Sequence, residues 1–124
     1  MMTNVNYSIT NEFQRDLKKL LKKFKSLETD LERSKRSAIE LFHIHKIDNN
    51  SIFQIQGFGT ETIKIFKIKK FACKYLKGFG VKSGIRIIYA YNLEENTATF
   101  IQIYFKGQEE NEDKQRINDY LDSL

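Results

Sequence analysis

The sequence predicts an α+β fold: a short amino-terminal strand and a helical hairpin packed on a central antiparallel sheet, with a carboxy-terminal helix. Apolar residues recur at spacings of three and four in the first third of the chain, and in alternation in its second half. Helical and strand-like stretches are also segregated along the chain, which favours an antiparallel sheet. With 124 residues, the chain suits a single domain spanning 1–124.

The first strand is predicted at 6–10, and two antiparallel helices are predicted at about 11–24 and 27–46. The helical stripe consists of Phe13, Leu17, Leu20, Phe24, Leu27 and Leu31. From 48 to 60 the chain loses its periodicity and collects asparagine, serine and glycine residues. We therefore expect an irregular connection there.

Three strands are predicted to follow, at 63–76, 84–92 and 97–106. The apolar alternation slips near Phe66, which predicts a bulge or bend in the first of them. A final helix is predicted at 111–124, because acidic and amide residues that favour a helix amino terminus precede apolar residues at helical spacing.

The charge of the chain is unevenly distributed. Between Thr62 and Leu93 there are eight basic residues and no acid, whereas six acids follow Gly107. Aromatic residues are interleaved with the basic ones, as is typical of a surface that binds nucleic acid. An ordinary solvated face is the alternative that charge alone leaves open.

Several kinds of site are excluded by spacing. Gly78-Phe79-Gly80 resembles a phosphate-binding loop, but Val81 replaces its last glycine and a strand follows where a helix is needed. His43 and His45 would point to different faces of a helix. We therefore expect no metal and no cofactor.

The remaining features predict a cytoplasmic protein. Cys73 is the only cysteine and is predicted to be a buried, inert thiol. The amino terminus has no secretory pattern, and no apolar run approaches the roughly 18 residues that a membrane-spanning helix needs.

Arg86 and Tyr104 lie on neighbouring predicted strands, and the register of those strands decides whether they meet. Pairing Arg86 with Tyr104 brings them together, whereas pairing it with Ile103 does not. If they converge, basic side chains could stabilise the charge that forms when a 2′-hydroxyl attacks the adjacent phosphate of RNA. The alternative is a basic strand edge that discourages aggregation.

Two stretches, KIFKIKKFACKYLKGFGVKSGIRIIYAY and FIQIYFKGQEENEDKQRINDYL, resemble the core of the RelE/ParE superfamily of type II toxin–antitoxin toxins. The resemblance extends over nearly the whole chain, including FQRDLKKLLKKF in the helical hairpin. It implies a cytoplasmic toxin, a partner antitoxin and a toxin–antitoxin hetero-oligomer. For the RelE branch it also implies metal-free cleavage of messenger RNA on the ribosome.

The resemblance implies roles for individual residues. Arg86 matches the arginine that contacts the scissile phosphate, and Tyr104 and Lys106 match a Tyr-His-Lys triplet. The predicted catalytic residues are therefore Arg86, Lys82, Tyr104 and Lys106. The predicted RNA-binding residues are Lys70, Lys74, Lys77 and Lys82. Ile117, Tyr120 and Leu121 are predicted to be the residues of the last helix through which an antitoxin acts.

The chain departs from the family pattern at three points. Phe105 replaces the histidine of the triplet, Gly107 replaces an arginine found in some members, and no tyrosine opens the final helix. Two alternatives consequently stay open at this stage: a gyrase-inhibiting toxin of the ParE type, and a nucleic-acid-binding protein without catalytic activity.

Overall fold

A five-stranded sheet forms the centre of the protein, in a computed structural model that describes residues 4–75, 83–109 and 111–124. Its spatial order is β1-β5-β4-β3-β2. The strands are β1 Asn6–Ile9, β2 Ile52–Gln54, β3 Ile63–Ile68, β4 Ile85–Asn92 and β5 Thr97–Phe105. The predicted α+β class is confirmed. In the part of the chain that is described, no helix is long and apolar enough to cross a membrane.

The helices form the predicted hairpin and the predicted last helix. They are α1 Asn11–Leu21, α2 Leu27–Ser34, a π-helical segment Lys35–Glu40, α3 Leu41–His43 and α4 Lys114–Asp122. The Thr10 hydroxyl caps α1 by accepting from the Phe13 N–H, and the Asp113 carboxylate caps α4 in the same way. Because Asp113 is the cap, α4 begins later than predicted.

Two details of the predicted sheet are wrong, and the structure adds a pairing for which the sequence made no prediction. Strand β1 pairs with β5 in parallel, at one edge of the antiparallel strands. Strand β2 lies inside the connection predicted to be irregular, because three residues are too few to show a period. Strand β3 ends at Ile68 and pairs with β4 without the bulge predicted near Phe66.

The sheet is covered on both faces. The helical hairpin covers one face, which we call the hairpin face, with side chains such as Phe13, Leu27 and Ile39. Helix α4 covers the other, the α4 face, where Ile117 contacts a smaller apolar cluster. That cluster contains Ile65, Ile88, Ala90, Ile101 and Tyr104.

A bulge in β5 sets the register between the two central strands. Next to the turn, Tyr89 lies opposite Phe100, but Ile88 lies opposite Gln102, so Ile101 is the additional residue. Beyond this point Arg86 lies directly opposite Tyr104. The register that brings these two residues together is therefore the one present.

His43 is buried under the helical hairpin among aromatic rings. Its Nε2 lies 2.8 Å from the Tyr89 hydroxyl, and its ring stacks on Tyr91 with centroids 3.7 Å apart. Burial, with a smaller effect of the nearby Lys46 charge, lowers the pKa of His43 to about 4. The folded protein therefore holds this imidazole in its neutral form at pH 7.

We expect His43 to make stability depend on pH. Its pKa is lowered on folding, so the unfolded state takes up the proton first as pH falls below 6.5. The free energy of unfolding should decrease between about pH 6.5 and 4, by about 3 kcal/mol in total for this residue. Urea unfolding of the parent and of His43→Gln, measured across this range, checks it. Parallel pH profiles for the two proteins would contradict the prediction.

Two glycines in one loop should respond very differently to alanine. Both have positive φ, but a Cβ on Gly57 would meet nothing within 4 Å, whereas a Cβ on Gly59 would lie 2.3 Å from the Ile63 carbonyl oxygen. Gly57→Ala should therefore cost only the backbone strain, about 1–2 kcal/mol. Gly59→Ala should cost more, because the start of β3 must also move. Equal losses in thermal unfolding would show that the loop adapts to both.

Candidate functional site

Four polar side chains meet on the α4 face of the sheet. Lys67 comes from β3, Arg86 from β4 and Tyr104 from β5, while Glu112 lies just before α4. Directly paired residues of neighbouring strands share a face, which places Arg86 beside Tyr104 and Lys67 beside Ile88. We call these four residues the cationic cluster, since two of them are basic and only one is acidic.

Arg86 is held by the backbone and not by an acid. Its Nη1 donates to the carbonyl oxygens of Lys69, at 2.9 Å, and Ile85, at 3.3 Å. Within the described residues it forms no salt bridge. The side chain is partly exposed. A guanidinium fixed in this way retains further donors for an anion.

Tyr104 is almost fully buried, with 3% of its surface exposed. Burial raises the pKa of its hydroxyl, and the positive charges of Lys67 and Arg86 only partly offset this effect. In this arrangement Tyr104 is a proton donor at neutral pH and a poor base.

Lys67 and Glu112 form an ion pair that closes the cluster. Their side chains are 13% and 11% exposed. Burial raises the pKa of Glu112, but the hydrogen bond from Lys67 and other interactions outweigh it, so that the pKa is lowered. The carboxylate therefore stays charged at neutral pH and lies where a bound anion would neutralise Lys67.

Neither residue of this ion pair was predicted as part of the site. Lys67 appeared only among the eight basic residues, although a lysine within the apolar stretch IKIFKI was a usable signal. Glu112 appeared only as one of the residues that open the last helix. No local signal could have paired two residues that lie 45 positions apart, because only the fold brings α4 onto β3.

Of the four predicted RNA-binding lysines, the structure describes Lys70 and Lys74. Lys70 lines a cavity of about 180 Å³ beside the hairpin, together with Arg33 and Asn49. Lys74 is exposed, and its backbone N–H donates to both carboxylate oxygens of buried Asp30 at 3.2 Å. The remaining two, Lys77 and Lys82, lie outside the described residues, as does the triplet at 78–80.

The end of β5 explains two departures from the family pattern. Phe105 alternates with Tyr104 and therefore packs on the hairpin face, where its ring lies 5.1 Å from that of Phe24. A Cβ at Gly107 would lie 2.6 Å from this ring. Any side chain at position 105 therefore lies on the opposite face from the cationic cluster, so the replacement of histidine by Phe105 leaves the cluster unchanged. Lys106 is exposed, and its backbone N–H donates to Gly84.

Helix α4 is fixed to the sheet by apolar and ionic contacts. Ile117 is fully buried, and Tyr120 and Leu121 are half-buried against the same cluster. An Arg116–Asp16 ion pair at 2.5 Å ties the helix to α1. The three residues predicted to serve an antitoxin consequently pack against the protein's own sheet, with Ile117 fully buried and the other two half-buried.

Across the described residues, no group of three potential metal ligands occurs. Cys73 is buried, as predicted, with its sulfur 3.6 Å from the Ser26 hydroxyl, although it lies outside any strand. The polar chemistry of the site therefore consists of basic side chains, one tyrosine and one carboxylate.

Comparison with protein-family models gives no match, and comparison with curated proteins gives none either. Among solved structures, the chain is similar to one in the crystal structure of the archaeal RelE–RelB complex from Pyrococcus horikoshii OT3. The TM-score is 0.51 at 14% identity, and the match covers 86% of this chain and 99% of the other. The resemblance inferred from sequence is confirmed at the level of architecture: the protein has a RelE-like fold.

Proposed function

We propose that this protein is the cytoplasmic toxin of a type II toxin–antitoxin pair and cleaves messenger RNA on the ribosome without a metal. The observation that carries the proposal is the pairing of Arg86 with Tyr104, next to Lys67, on a RelE-like fold. Basic side chains and a protonated tyrosine suit a reaction in which negative charge develops on a phosphate.

In the proposed reaction, the 2′-hydroxyl oxygen of RNA attacks the adjacent phosphorus and the bond to the 5′-oxygen breaks. The products are a 2′,3′-cyclic phosphate and a 5′-hydroxyl. Arg86 and Lys67 would stabilise the charge on the non-bridging oxygens. Tyr104, which burial keeps protonated at neutral pH, would donate a proton to the departing 5′-oxygen. We propose that one of the other two predicted catalytic residues, Lys82 or Lys106, takes up the 2′-hydroxyl proton.

Binding of the RNA substrate would require the segment before α4 to move. Tyr104 is covered and Lys67 is paired with Glu112, so a phosphate would have to displace this carboxylate. We propose that an antitoxin acts on the same element, by covering the basic surface or by replacing α4 where Ile117, Tyr120 and Leu121 pack. The similar archaeal protein was crystallised as a RelE–RelB complex, which supports such a partner and a hetero-oligomer.

Binding of nucleic acid without cleavage is the second candidate. It is favoured by the burial of Tyr104, which leaves only basic groups accessible. A gyrase-inhibiting toxin would share the fold. Primer extension on a reporter transcript after induction separates cleavage from both alternatives, because only an endonuclease produces new transcript ends.

Arg86→Ala should abolish growth arrest and transcript cleavage. The loss of one contact to the developing charge typically reduces a rate by about 10²–10³. Arg86→Lys should be nearly as damaging, because lysine lacks the planar pair of donors. Growth on induction and primer extension measure both effects.

Arg36→Ala is the matched control, since Arg36 is exposed on the hairpin side of the sheet. Circular dichroism shows whether each variant is folded. A folded Arg86→Ala protein that still cuts transcripts like the parent would exclude Arg86 from the site.

Glu112→Gln should raise affinity for RNA and lower stability. The substitution removes the negative charge that neutralises Lys67. An incoming phosphate then no longer competes with a carboxylate for this lysine. Stability should fall by roughly 1–3 kcal/mol, because Lys67 stays largely buried without its ionic partner. Binding of a non-cleavable RNA at several salt concentrations and urea unfolding are the measurements.

Glu95→Gln provides the comparison. It removes the same charge from an exposed turn at the far end of β4. An equal gain in affinity from both variants would mean that net charge alone is responsible, and that Glu112 does not occupy the phosphate position.

A further inference from the structure

Phe53 is an exposed aromatic side chain on the edge strand β2. It lies directly opposite Lys67, which places it on the α4 face, and 42% of its surface is exposed. Its neighbour Ile52 faces the hairpin core and is buried. The strand therefore presents one ring to solvent beside the cationic cluster.

One cation lies against this ring, whereas Lys67, the residue of β3 directly opposite it, is paired with Glu112. The Lys69 Nζ lies 4.8 Å from the ring centroid, and the Lys69 carbonyl oxygen accepts the hydrogen bond from Arg86. Neither 62–75 nor 83–93 contains an acidic residue. Two strand spacings, about 10 Å, separate β2 from β4, so the ring and the Arg86 guanidinium belong to one continuous surface.

We propose that Phe53 is a stacking platform for one base of a single-stranded RNA whose phosphate binds at Arg86. This inference rests on the proposed function for the identity of its ligand. Proteins that bind single strands combine a cationic track with aromatic rings on which bases stack. Stacking of one base contributes about 5- to 150-fold in affinity, the equivalent of about 1–3 kcal/mol.

The charges favour RNA over a protein partner. An apolar protein surface placed on Phe53 would also cover the ammonium group of Lys69 and offer it nothing in return, and such desolvation is costly. A nucleotide satisfies both groups, because its base covers the ring and its phosphate pairs with the cations. Lys69 need only move off the ring, as expected of an exposed lysine.

The absence of tryptophan from the chain allows a direct test. Phe53→Trp introduces a single tryptophan at the proposed platform, which can be excited at the long-wavelength edge where the six tyrosines do not absorb. Stacking of a base should quench its fluorescence. Leu93→Trp is the matched control, because Leu93 is 53% exposed at the opposite end of β3, beside Glu94. The probe is a 2′-O-methylated oligoadenylate of about eight nucleotides, compared with an abasic chain of the same length.

We expect the oligoadenylate to quench the fluorescence of the Phe53→Trp protein and not that of the Leu93→Trp protein. The abasic chain should bind without quenching either. Phe53→Leu should weaken binding of the oligoadenylate by about 5- to 150-fold, whereas Phe53→Trp should retain it. Fluorescence anisotropy of a labelled oligonucleotide measures these affinities, with circular dichroism as the control for folding.

The outcomes separate this inference from the proposed function. RNA binding that leaves the fluorescence of Phe53→Trp unquenched, with an unchanged affinity for Phe53→Leu, would exclude the platform and leave the proposed function intact. No oligonucleotide binding by any variant would exclude the platform, whereas the proposed cleavage on the ribosome would be contradicted by the absence of new transcript ends in primer extension. A Phe53→Trp signal that responds to protein concentration and not to RNA would identify a surface for self-association in place of the platform.

Discussion

The site depends on the register between β4 and β5, and the bulge at Ile101 determines that register. Counting back from the turn, unbroken pairing would place Arg86 opposite Ile103 and on the other side from Tyr104. The additional residue shifts the pairing by one position. Ile87 then meets Ile103 under the helical hairpin, and Arg86 meets Tyr104 on the α4 face. Burial of isoleucine on one face thus fixes the polar pair on the other.

The two faces of the sheet consequently differ: one holds most of the hydrophobic core and the other carries the cationic cluster. The hairpin face holds most of the large buried side chains and a neutral, hydrogen-bonded histidine. The hairpin also fixes the segment that carries Lys74, because buried Asp30 accepts its N–H. The α4 face has a smaller apolar cluster under the helix. The cationic cluster lies beside this apolar cluster, next to the segment that precedes α4. A site at the thinner side of the core can open at a lower cost.

Helix α4 connects stability to the proposed activity. Its apolar residues and the Arg116–Asp16 ion pair hold it in place, while the Glu112 carboxylate neutralises Lys67. Of these interactions, the Lys67–Glu112 ion pair is the one that an RNA phosphate would have to replace in the proposed function. A phosphate can take the place of the Glu112 carboxylate without leaving the charge of Lys67 buried and unpaired. A phosphate cannot take the place of an apolar contact.

The sequence by itself determined the fold class, the helical hairpin, the central strands and the last helix, because these follow from local periodicity over many residues. The resemblance to RelE came from two particular stretches in the second half of the chain. The sequence did not determine the three-residue strand β2 or the parallel pairing of β1, since so few residues carry no period. The pairing of Lys67 with Glu112 and the position of Phe53 beside Lys69 also required the tertiary structure. Contacts between distant segments depend on how the sheet and α4 pack, and no local pattern encodes that packing.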